Sequence, residues 1–179
     1  MNHEVLLRCA RTLLDILKES LANRTSIDPV FSLILEQGPE FVRYDPELTR
    51  TAEGNLAIAN DLRTRAEQSG AVGALIALDC HVFVPDLPAI HQANQRLVQA
   101  ATRAGLCALV SAGLGRRSEA IVVTLQTPSF HVLFEQLYTR QGTGSIVFDA
   151  LRTLDSRDSK GGAQTGGLFE IFPLQRSGH

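Results

Sequence analysis

The stretch AVGALIALDCHVFV, residues 71–84, constrains the fold more than any other part of the chain. Its uninterrupted apolar part, Ala71 to Leu78, is far shorter than the roughly 20 residues a helix needs to cross a bilayer. Gly70 and Pro85 bound the segment too closely for a comfortable helix, and its Val, Ile and Phe content suits a strand. The strand period also divides the triplet Asp79-Cys80-His81. Val72, Ala74, Ile76, Leu78, Cys80 and Val82 fall on one face, and Gly73, Leu75, Ala77, Asp79, His81 and Phe83 on the other. Cys80 therefore points away from His81. A cysteine–histidine nucleophile pair, which needs a reach of about 3 Å, would require a bulge.

The elements on either side are also legible. Residues 4–22 put Leu6, Cys9, Ala10, Leu13, Leu14, Leu17 and Leu21 on one face of an amphipathic helix. DPVFSLILE and EFVRYD flank the breaker QGP and read as an antiparallel hairpin, although Pro39 does not fit a standard two-residue turn. In YDPEL, Asp45 caps a helix and Pro46 occupies its first turn, and Gly70 ends it. Its stripe is Leu48, Ala52, Leu56, Ala59, Leu62 and Ala66, and Gly54 inside it costs about 1 kcal/mol against alanine.

Asp86 and Gly105 bracket a third helix over 87–104, with Ile90, Ala93, Leu97, Ala101 and Ala104 inward and Gln92, Gln95, Gln99 and Arg103 outward. LCALVS after it reads as a strand parallel to the 71–84 run, a strand–helix–strand crossover. SEAIVVTLQT alternates as a half-buried strand, Thr127-Pro128-Ser129 turns, FHVLFEQLY returns, and GSIVFD adds a short edge strand. The expected fold is α+β: a mostly antiparallel sheet of about five or six strands with two or three helices packed on it. One domain covers residues 1–151, followed by a flexible, glycine-rich tail over 152–179 that ends in an apolar cluster.

Composition excludes several functions. With 44% hydrophobic and 20% charged residues in 179, the chain is globular. A net charge of −2 and scattered basic residues argue against nucleic acid as a partner, and no segment suits a membrane. The N-terminal segment carries Glu4, Arg8, Arg11 and Asp15 where a leader would be apolar, so a cytoplasmic protein is expected. Cys9, Cys80 and Cys107 lack C-x-x-C spacing and sit among apolar neighbours as small hydrophobes, so neither zinc nor a disulfide framework is expected. Nothing in the sequence implies a cofactor.

The candidate sites are few. Asp79 and His81 share a face, where the carboxylate can orient the imidazole, or the pair can simply mark a strand end turning toward solvent. GLGRRSEA, residues 113–120, has glycines and arginines that can cradle an anion through Arg116 and Arg117, yet it lacks the lysine and hydroxyl of a phosphate loop and equally suits a surface turn. Glu119 lies either at the core rim or beside an arginine. His91 and His131 lack metal-ligand spacing and are expected to be exposed. Phe169, Ile171 and Phe172 form a tethered apolar cluster that either folds back or binds a partner.

In its order of helix, SIDPVFSLILEQGPEF hairpin, long helix, GAVGALIALDCHVF and RSEAIVVTLQT, the chain resembles small bacterial α+β proteins with no assigned activity. The resemblance covers about residues 1–140, treats the helix at 87–104 as an insertion, and carries over no catalytic residue. The sequence thus points to a non-catalytic cytoplasmic binding module, a subunit, adaptor or small-ligand binder, with a protein partner or self-association expected. The alternative is a hydrolytic or phosphate-handling enzyme whose pocket gathers Asp79, His81, Glu119 and Arg116 or Arg117.

Overall fold

The computed structural model describes residues 2–23, 26–142, 144–157 and 171–172. It is an α+β fold in which antiparallel strands follow the order β2-β1-β3-β4-β5-β6, with β7 also paired to β5. The chain divides into two compact units, Met1–Asp79 with Ile121–Gln136 and Ala150–His179, and Cys80–Ala120 with Leu137–Asp149.

In the first unit, α1 (His3–Asn23) buries Leu6, Ala10, Leu14, Leu17 and Leu21. Cys9, expected inside, is exposed, because that stripe leaves position 9 on its flank. β1 (Val30–Leu35) and β2 (Gly38–Val42) pair from Leu35 opposite Gly38 to Phe31 opposite Val42. The turn is therefore Glu36–Gln37, a residue earlier than the QGP breaker suggests. Gly38 takes the positive φ of 139°, and Pro39 sits in an edge strand, where its missing N–H is tolerated.

Asp45 accepts the Glu47 N–H, but it caps a short 3-10 turn, Pro46–Arg50. Thr51 then caps α2 (Ala52–Ser69) by accepting the Gly54 N–H at 3.0 Å. This break rephases the helix. Ile58, Ala59, Leu62 and Ala66 are buried, while Leu48 and Leu56 are exposed. β3 (Gly73–Pro85) pairs antiparallel with β1, Leu33 opposite Ala74. Phe31, Leu33, Leu35, Ala74 and Ile76 form one core with α2 and Ile171. By alternation the other face, with Ile34 and Leu75, looks toward α1.

In the second unit the expected helix over 87–104 is two, α3 (Leu87–Gln92) and α4 (Gln95–Ala104). Asn94 ends the first by capping the second: its side chain accepts the Arg96 N–H at 2.8 Å while Ala93 is extended. Of the expected inward stripe only Ala101 is buried. LCALVS is not a strand but α5 (Leu106–Ser111), entered through Gly105 at φ 92°. A run of five apolar residues does not distinguish a buried strand from a helix by period, and here the local hydrogen bonds win. The crossover is accordingly absent.

β4 (Gly115–Gln126) and β5 (His131–Arg140) run through both units, joined by a turn in which Thr127 Oγ1 accepts the Ser129 and Phe130 N–H groups. β4 is buried on both faces beyond Ala120 except at Val122, so the half-buried expectation is corrected: Thr124 and Gln126 are covered. β6 (Ile146–Phe148) pairs with β5 in the second unit. In the first, β7 (Arg152–Asp155) pairs with His131-side residues of β5, Val132 opposite Asp155, where the sequence reading begins the tail.

Candidate functional site

The residues singled out at the start of β4 converge with the ends of two neighbouring strands in the second unit. A concavity of about 570 Å³ is lined by His81 of β3, Arg116, Arg117, Ser118 and Glu119 of β4, and Tyr138, Thr139 and Arg140 of β5. Arg140 is held on two sides. Its Nε donates to Glu119 Oε1 at 3.3 Å and its Nη2 to the Tyr138 hydroxyl at 3.3 Å, with the guanidinium 5.3 Å from the Tyr138 ring centre. Arg116 Nη1 donates to the buried Ser118 hydroxyl at 3.4 Å. The side chains of Arg117 and His81 make no hydrogen bond or ion pair among the described residues. Three arginines and one carboxylate, that of Glu119, line the concavity, an excess of two positive charges among these four groups on a chain whose net charge is −2. Such a set suits an anion with several acceptor oxygens, which guanidinium forks bind in pairs.

Asp79 is half-buried in the first unit and is not among these lining residues, while His81 is exposed. Tyr138 and Arg140 were missed in the sequence. The signal was their two-residue spacing, which places both on one face of a strand.

The remaining candidates separate. His91 is exposed, as expected, but His131 is buried at 2% exposure, and its Nε2 donates to the Phe172 carbonyl at 2.6 Å. A polar residue in that strand position is covered because the chain returns over it. Gln126 Oε1 accepts the Ile171 N–H at 2.7 Å and the Phe172 N–H at 3.4 Å, and Ile171 joins the α2 core. Phe169, the third member of the apolar cluster, lies outside the described residues. Glu135 pairs with Arg152 at 3.2 Å. Among the described residues no group of three or more His, Cys, Asp or Glu is placed to hold a metal ion, and no helix is long and apolar enough to cross a membrane.

Two features of the first unit have no counterpart in the sequence reading. An apolar groove of about 450 Å³ lies between Val5, Cys9 and Ile16 of α1 and Ile34, Phe41 and Leu75 of the sheet. Beside α2, Tyr44 donates to Asp61 Oδ2 at 2.6 Å and Arg65 Nε to the same oxygen at 2.7 Å. The two donors, Tyr44 first, hold the Asp61 carboxyl below its ordinary range, and burial followed by the bond to Asp61 pushes the Tyr44 hydroxyl up. Tyr44 also meets Phe31 edge-on at 5.1 Å, so this triad ties the end of the β1–β2 hairpin to α2.

Comparison with protein-family models, with curated proteins and with solved structures finds no match to this chain.

Proposed function

We propose that the chain is a non-catalytic cytoplasmic binding module whose ligand is a phosphate-class anion held in the concavity around Arg117. The observation behind this reading is that Arg116, Arg117, Arg140 and His81 line one concavity that holds a single carboxylate, Glu119. Their two excess charges match the −1.5 to −2 that a phosphate monoester carries near pH 7. Arg140, fixed by Glu119 and Tyr138, loses less freedom on binding than an unheld side chain, so part of the entropic cost is met in the free protein. Three cysteines without a disulfide fit a reducing compartment.

The hydrolytic alternative has His81 and Glu119 in the same concavity. Glu119 is engaged by Arg140, and His81 has no carboxylate to orient it among the described residues, which favours binding over catalysis. Calorimetric titration with inorganic phosphate at low salt is expected to show one saturable site, weakened about tenfold or more by Arg117→Glu and by raised ionic strength. Binding that Arg117→Glu leaves unchanged, or turnover of an aryl phosphate lost in His81→Ala, would reverse this assignment.

A further inference from the structure

The concavity around Arg117 adjoins a second of about 570 Å³, and Arg116 lines both. Besides Arg116, the second is lined by Val84, Pro85, Leu87 and Pro88, by Gly113 and Gly115, and by Asp86. It is more apolar than the first, and its two charged groups, Asp86 and Arg116, are of opposite sign. Leu87 presents an apolar side chain that is 59% exposed, and Asp86 is the one anionic group. Asp86 Oδ1 accepts the Ala89 N–H at 3.1 Å, and its other carboxylate oxygen accepts nothing among the described residues.

We infer that the ligand is a phosphate monoester whose organic part lies in this second concavity, a flat apolar body with an N–H donor turned toward Asp86, which is the chemistry of a mononucleotide. The inference rests on the phosphate reading above. A phosphate group alone occupies a small part of either concavity, each of which has the volume of an ordinary small-molecule site, so an organic part has room beside it. Charge sets the direction: reversing the ligand would bring its phosphate against Asp86 and its donor against three guanidiniums. Arg116, between the two, can pair with the phosphate while its planar guanidinium stacks on a ring, which a lysine could not do.

Calorimetric titrations with inorganic phosphate, ribose 5-phosphate and AMP on the full chain test this. AMP is expected to bind about tenfold or more tighter than ribose 5-phosphate. Asp86→Asn, which keeps a good helix cap, and Leu87→Ser, at an exposed position, should each reduce that advantage while leaving inorganic phosphate affinity within about twofold. If Arg117→Glu abolishes phosphate binding yet AMP binds no tighter than ribose 5-phosphate, the anion site stands and the second concavity is not part of it. An AMP advantage insensitive to both substitutions overturns the inference as well. If none of the three probes binds, the phosphate reading fails and this inference with it.

Discussion

At the scale of single residues, Gly54 shows how far propensity alone can mislead. An interior helical glycine is worth about 1 kcal/mol less than alanine, so Gly54→Ala should stabilise α2 on local grounds. The fold reverses that sign, because a Cβ at position 54 would run into the Leu48 backbone carbonyl, which the 3-10 turn holds over the helix start. Backbone cannot step aside as a flexible side chain can. Gly54→Ala is expected to lower stability by about 1–3 kcal/mol, seen as a reduced urea midpoint with an unchanged slope; a raised midpoint would mean that the turn yields. Gly115 is a second such position, since a Cβ there would meet the Val84 carbonyl and, at 2.6 Å, the Phe83 ring. Neither role is visible in the letters. His81, Arg116, Arg117 and Glu119 could be picked out as polar or basic residues at an apolar strand's end, but what joins them to Tyr138 and Arg140 is distance across the sheet, which one strand's pattern does not contain.

At the scale of elements, strong periods were legible and weak ones were not. The leucine stripe of α1 and the bounded apolar run that opens β3 each bury enough side chains that no other conformation competes. LCALVS and the 87–104 segment carry too few apolar residues to impose a phase, so Gly105 and the Asn94 cap decide instead. β4 misled for another reason: Thr124 and Gln126 look solvent-facing until Ile171 and Phe172 are seen to supply main-chain N–H groups to Gln126. That return of the chain gives a contrast between two apolar residues. Ile171, 2% exposed in the α2 core, should cost about 2–5 kcal/mol when changed to alanine. Phe41, 65% exposed on the edge strand, should change stability by about 0.5 kcal/mol or less. Chemical unfolding of both variants checks the difference, and similar small effects would mean that the 171–172 segment contributes little to the core.

At the scale of the whole molecule, the pH dependence of stability follows from which carboxylates folding perturbs. Asp61 is held below its ordinary range by Tyr44 and Arg65, and Asp155 by the side chain and main-chain N–H of Arg157, with the charge of His3 adding to the effect. Both carboxyls thus bind a proton less readily in the folded chain than in the unfolded one. Their contribution is fully present above the unfolded value near 3.9 and is lost as pH falls through the lower folded values. The two differ in weight. The Asp61 side chain is 42% exposed, so solvent and salt screen it, whereas Asp155 is 12% exposed and retains more of its interaction. The melting temperature should therefore hold with respect to these groups from neutral pH down to about 4 and decline below it. Asp155→Asn should lower the melting temperature at neutral pH and flatten the acid decline, so that its curve approaches that of the unchanged protein at the lowest pH. Asp61→Asn should do the same more weakly, and its effect should shrink further in molar salt. An acid decline equally steep in the Asp155→Asn and Asp61→Asn double variant would show that other carboxylates govern it.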